Sequence, residues 1–225
     1  MQMSISKKLH FQYWIFPSIL SGIFIYMYFS GIPFLQELVS PSINREFGLL
    51  ENVQLIFLLI CISLSIKGIT KSQIKFDKLI FTLLALGFTF LFLEEIDYGL
   101  HYLEFFNLRE AETEVRNLHN QGNLLGYMKK TMYAVVFIFF IILPFLQEKF
   151  NKFYLATWIP SKLIIITAMC LTIWSQIAQF IYHSTIETNN SLEKNISEYE
   201  ELLVYYLFLV YVIEMIQRKN PKFAK

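Results

Sequence analysis

Apolar residues run in six blocks along the chain, at about residues 11–35, 50–67, 78–106, 130–147, 161–184 and 199–217, with charged segments between them. At about 1.5 Å per residue, a helix of each block's length crosses the roughly 30 Å hydrocarbon layer of a bilayer. The pattern predicts an all-α integral membrane bundle of six transmembrane helices, built as a single transmembrane domain over residues 1–225. The first block follows Lys7 and Lys8 as a secretory signal would. It runs on past His10, Gln12 and Pro17 with no small-x-small cleavage pattern, so it reads as an uncleaved first span.

Polar positions inside the blocks recur at helical spacing. Glu94, Asp97, His101 and Glu104 fall within an arc of about 80° if the third block is one helix. Thr172, Gln176, Gln179 and His183 fall within about 60° on the fifth. Glu51 and Gln54 share a face at the start of the second span, and Glu198, Glu201 and Tyr205 share one at the start of the sixth. A charge below the bilayer surface costs roughly 3 kcal/mol or more, so these stripes should face the bundle interior, a ligand or water. All four lie at the same membrane level, which predicts one polar pocket opening at one end.

Between the third and fourth spans, Asn107 with Glu110 has capping-box spacing, and Leu108, Ala111, Val115 and Leu118 form an apolar face. A short interfacial helix lying on the outer surface is expected there, placing His119 and Asn120 over the pocket mouth.

Composition adds orientation. With the N-terminus taken as cytoplasmic, thirteen of the nineteen Lys and Arg fall on inner segments, among them Lys67, Lys71, Lys75, Lys78, Arg218 and Lys219. That bias predicts cytoplasmic N- and C-termini and an outward pocket. A net charge of +1 suggests no nucleic-acid partner. Cys61 and Cys170 each lie within an apolar block, which disfavours a structural disulfide or a cysteine-based zinc site.

Carboxylates and imidazoles at such spacing on bundle helices suit a divalent metal such as zinc, iron or manganese. The candidate ligands are Glu51, Glu94, His119 and His183, with Glu94, Glu95 and His119 as acid–base groups. Asp97, His101, Asn120, Gln176, Gln179 and Glu201 would support them. A bound metal could acidify water for hydrolysis of, or transfer to, a lipid or lipid-linked substrate at the outer leaflet. Two other readings stand beside it. In one the acids only set helix packing in a non-catalytic membrane subunit; in the other they line a small ion or proton pathway. Against the pathway, Glu214 is the one acid in the inner part of a span.

Three segments follow in order: Arg45-Glu46-Phe47-Gly48-Leu49-Leu50-Glu51, Glu94-Glu95-Ile96-Asp97-Tyr98-Gly99-Leu100 and Asn117-Leu118-His119-Asn120. They resemble the Arg-Glu-Asp-Gly-x-x-Glu, Glu-Glu-x-Ser-Trp-Gly-Gln and Asn-Leu-His-Asn motifs of a group of bacterial multipass membrane proteins of uncharacterised function. The chain departs from that pattern at Phe47, Asp97, Tyr98 and Leu100. The resemblance implies a bacterial cytoplasmic (inner) membrane location. It also implies a shared outward site of Glu51, Glu94, Glu95, His119 and Asn120, and it carries no reaction.

Overall fold

The computed structural model describes residues 11–41, 47–106, 131, 133–150, 152–184 and 196–220, without the side chains of His101, Glu104 and Phe105. Every regular element among them is helical. A π-helical turn at Phe11–Ile15 leads into α1 (Phe16–Phe29), followed by α2 (Pro33–Val39), α3 (Leu49–Lys71) and α4 (Lys75–Glu95). After a 3-10 turn at Asp97–Gly99 come α5 (Leu100–Phe105), α6 (Tyr133–Phe150), α7 (Lys162–Ser184) and α8 (Ile196–Lys219). Four of these, α3, α4, α6 and α7, are long and apolar enough to cross a membrane. Their outward faces carry apolar stripes at helical spacing, such as Ile166, Met169, Ile173, Ile177 and Phe180 on α7. Exposed stripes of that length fit a hydrocarbon surround rather than water.

The helix with the most buried residues is α8. Its aromatic side chains reach its neighbours in turn: Tyr206 meets Phe16 of α1 and Phe57 of α3, Phe208 meets Phe88 of α4, and Tyr211 meets Phe139 and Phe140 of α6. A helix that is apolar on nearly every side must be surrounded, and α8 takes the centre for that reason. The α3–α4 hairpin packs closely because Gly68 lies against the Phe81 ring. A Cβ at Gly68 would stand 2.5 Å from that ring.

Two predicted spans prove to be broken helices. The first, expected over 11–35, ends α1 at Phe29; Gly31 turns with φ 69° and Pro33 begins α2. The third, expected over 78–106, stops at Glu95, because Asp97, Tyr98 and Gly99 take φ values of 47°, 55° and 85° in succession. Left-handed backbone cannot continue a right-handed helix, so Glu94 and His101 do not share one helical face. The predicted interfacial helix, together with His119 and Asn120, lies outside the described residues.

The order of the helices gives the bundle two distinct ends. Every Lys and Arg among the described residues lies at one of them, where α3, α6 and α8 finish and α4 and α7 begin. The opposite end carries Glu51, Glu94, Glu95, Glu198, Glu200 and Glu201.

Candidate functional site at the acidic end

Three helices bring carboxylates together at the acidic end. Glu51 comes from the first turn of α3, Glu95 from the last turn of α4 and Glu198 from the first turn of α8. One oxygen of each lies within 4.8 Å of the others, a spacing from which three carboxylates can hold a single cation. Helix dipoles treat the three unequally. Helix N-termini favour Glu51 and Glu198, whereas Glu94 and Glu95 sit at the C-terminus of α4, where negative charge is disfavoured and the last turn offers no basic residue.

Neutral donors surround the cluster. The Tyr205 hydroxyl donates to Glu95, and the Tyr98 hydroxyl donates to Glu94. The Tyr98 bond spans the left-handed turn and ties the residues after α4 back onto the helix end. Gln54 is fully buried one turn below Glu51, and its Nε2 donates to the Glu198 carbonyl at 2.7 Å. Its Oε1 accepts no hydrogen bond. A buried carbonyl oxygen without a donor costs about 1–3 kcal/mol.

The central helix presents acids on two sides. At 100° per residue Glu198, Glu201 and Tyr205 lie within about 60° of each other, while Glu200 lies about 200° round from Glu198. Glu200 therefore turns away from α3 and α4 and meets α6 and α7. It accepts from Tyr133 at 2.8 Å, Ser175 at 2.9 Å and Gln179 at 2.6 Å. These groups form the polar head of a cleft of about 490 Å³ between α6, α7 and α8, which also takes in Thr172 and Gln176 and is otherwise walled by apolar side chains.

Several expected residues thus fall in separate places. Glu51 and Glu95 meet, with Glu198 joining them. Glu94 is buried beside them on α4 but bonds Tyr98. Gln176 and Gln179 belong to the cleft, Glu201 is buried on α8, and the His183 ring lies against Tyr182 at the end of α7. Asp97 sits in the left-handed turn. His101 is on α5, its side chain outside the description.

Sequence reasoning placed Glu198 on a face of the pocket but not among the candidate ligands, and left Glu200, Tyr133 and Ser175 out of the site. Glu198 was legible through its shared face with Glu201 and Tyr205. Ser175 was legible as well, four residues before Gln179 and so one turn away on α7.

At the basic end the acids are enclosed by matching charges. Asp77, in the first turn of α4, meets Lys219 Nζ at 2.9 Å and accepts from Tyr154 at 2.7 Å and Trp158 Nε1 at 3.0 Å. Glu214 pairs with Arg218 and accepts from the Ser161 amide at 2.8 Å, the Ser161 hydroxyl at 3.0 Å and the Tyr13 hydroxyl at 3.3 Å. Burial and the neighbouring Asp77 carboxylate push the Tyr154 phenol up to about 12, so it stays a donor throughout the physiological range.

Comparison with known protein families, curated proteins and solved structures finds no match.

Proposed function

We propose that this is a six-span integral membrane protein that holds a divalent cation at its acidic end and uses it on a lipid or lipid-linked substrate, as a hydrolase or transferase. The observation that carries this reading is the meeting of Glu51, Glu95 and Glu198 from three helices within 4.8 Å. Gln54, one turn from Glu51, adds a buried amide whose Oε1 lacks a donor. Support for the fifth and sixth spans comes from α1 with its π-helical entrance, and from α8, whose charges turn inward against protein rather than lipid. Clustering of Lys and Arg at the other end supports an outward acidic end with both termini cytoplasmic, in a cell membrane.

In this role the Tyr205 hydroxyl orients the Glu95 carboxylate, as an outer-shell partner does for a metal ligand. Glu94, one residue away and held by Tyr98, is the group placed to move a proton. A bound cation would supply an acidified water and a positive charge against the developing oxyanion.

Metal analysis of protein purified without chelators tests the site. About one zinc, manganese or iron per chain is expected, and it should fall away in Glu95→Gln while the thermal unfolding curve keeps its shape. Metal-dependent release of headgroup from labelled liposomes, lost in the same variant, tests the reaction. Protein that contains no metal, and that no divalent ion stabilises, would sink the proposal.

That outcome would favour a second reading, which has its own support: Glu94 and Glu95 each accept a tyrosine hydroxyl, as a network that only fixes helix packing would. An ion pathway lacks comparable support. Between the two ends the interior is filled by Leu58, Phe81, Phe88, Leu202 and Val212, all buried.

A further inference from the structure

The cleft between α6, α7 and α8 has a chemistry of its own, separate from the carboxylate cluster on the other side of α8. Its length follows the helices. From Glu200 to Leu207 is seven residues, or about 10 Å of helix, and Tyr133 to Ile141 covers a similar span. Glu200, Tyr133, Ser175, Gln176 and Gln179 occupy the end level with the acidic cluster and Thr172 lies further along; the remainder is wall such as Val136, Ile141, Leu171 and Leu207. A volume of about 490 Å³ lies within the range of small-molecule sites. The cleft opens between helices whose outer faces are apolar, so its contents exchange with the hydrocarbon around the bundle.

The head of the cleft is anionic. Glu200 is held by three neutral donors, Tyr133, Ser175 and Gln179, and no Lys or Arg is among the described residues that line the cleft. Three neutral hydrogen bonds orient a carboxylate without cancelling its charge. A phosphate or carboxylate placed there would be repelled, whereas an ammonium would gain a charge-assisted hydrogen bond in a setting of low dielectric. Gln176 and Thr172 stand exposed beside it, able to serve the rest of a headgroup.

We propose that this cleft binds one bilayer lipid with a primary ammonium headgroup, its amine on Glu200 and its acyl chain along the apolar wall between α6, α7 and α8. The lipid's own phosphate, two carbons from the amine and between it and the glycerol, then sits beside the head of the cleft rather than on Glu200 itself. This site does not depend on a cation at Glu51, Glu95 and Glu198, and either can fail alone.

The test is lipid binding by delipidated full-length protein in detergent, read by native mass spectrometry and by thermal shift. Phosphatidylethanolamine, phosphatidylcholine and phosphatidylglycerol of matched chains serve as probes. Phosphatidylcholine keeps the positive charge but has no N–H to donate, so about tenfold weaker binding is expected for it. Glu200→Gln should bring the two within about twofold of each other. Thr172→Phe, at an exposed position lining the cleft, should weaken all lipids alike by filling the space. Equal binding of the ethanolamine and choline lipids, preference for phosphatidylglycerol, or an ethanolamine preference that survives in Glu200→Gln would each overturn the assignment. If Glu200→Gln does not fold, Thr172→Phe decides: undiminished ethanolamine-lipid binding in it overturns the cleft as the site.

Discussion

Where α4 begins and α8 finishes, each buried acid meets a cation: Asp77 has Lys219 and Glu214 has Arg218. At the opposite end the carboxylates of Glu51, Glu95 and Glu198 meet one another, and the Tyr205 hydroxyl donates to Glu95. Helix polarity sharpens the contrast. At the basic end Asp77 occupies a first turn, while Lys71, Arg218 and Lys219 occupy last turns, so every one of these charges suits its helix dipole. At the acidic end Glu94 and Glu95 oppose theirs. One end spends its polar residues on closing the bundle. The other gathers carboxylates from three helices at a spacing that suits a single cation. This asymmetry is the reason to look for chemistry at the acidic end alone.

The contrast breaks most visibly at Asp77. Replacing it with Asn leaves Lys219, itself nearly buried, without its counter-ion, and leaves Trp158 and Tyr154 with a weaker acceptor. Removing one partner of a buried pair costs about 3–5 kcal/mol, so Asp77→Asn should lose that much in reversible unfolding in detergent. Adding Lys219→Met should restore most of the loss, because the uncompensated charge goes with it. A full-sized loss that the second substitution does not repair would show that the hydrogen bonds matter more than the charge.

Gly68→Ala, near the same end, tests packing rather than charge. The new Cβ would press on the Phe81 ring at 2.5 Å, and that ring is itself fixed edge-on against Trp158 at 4.9 Å between centroids. Overpacking of this kind costs about 1–3 kcal/mol, read by the same unfolding measurement. Phe81→Leu should recover part of it by giving the methyl room.

Much of this organisation was legible in the sequence, and the misses have physical causes. Block length and Lys/Arg spacing located α3, α4, α6 and α7, since the cost of burying backbone and charge in lipid dominates everything else. The convergence of Glu51, Gln54, the end of α4 and the start of α8 followed from helix periodicity and alternating direction, while Glu95, off the predicted stripe, entered through the motif resemblance. The stripe Glu94–Asp97–His101–Glu104 did not survive. Periodicity assumes one helix, and the left-handed Asp97 and Tyr98 leave no signature a period can detect. Glu200 escaped because it lies off the shared face of Glu198 and Glu201, and its partners come from α6 and α7, far away in sequence. The basic-end network was missed likewise, since Asp77, Trp158 and Lys219 meet only in three dimensions.

Glu95→Gln sharpens the other side of the comparison. Gln keeps an acceptor for the Tyr205 hydroxyl and removes one of three mutually repelling charges at an unfavourable helix end. Without added divalent ions the variant should be as stable as the parent, or more stable by up to about 1 kcal/mol. With zinc or manganese added, the parent should gain stability that the variant does not, by the mass action of a ligand that binds only the folded state. A loss of several kcal/mol in the absence of metal would put Glu95 in the same class as Asp77, and the distinction between the two ends would fall.

The smallest effect is expected where an ion pair at the basic end lies outside the closed network. Lys162 and Glu148 approach to 2.7 Å, closer than the 2.9 Å of Lys219 and Asp77, yet their side chains are 54% and 75% exposed. Water screens the attraction, and two flexible side chains must be ordered to hold it. Glu148→Gln should therefore leave the unfolding transition nearly unchanged, and any small effect should shrink further as salt is raised. Set against Asp77→Asn, the difference isolates burial as the variable, since both substitutions turn a carboxylate facing lysine into an amide. A cost for Glu148→Gln approaching that of Asp77→Asn would mean that the number of pairs at this end, rather than their enclosure, holds the bundle together.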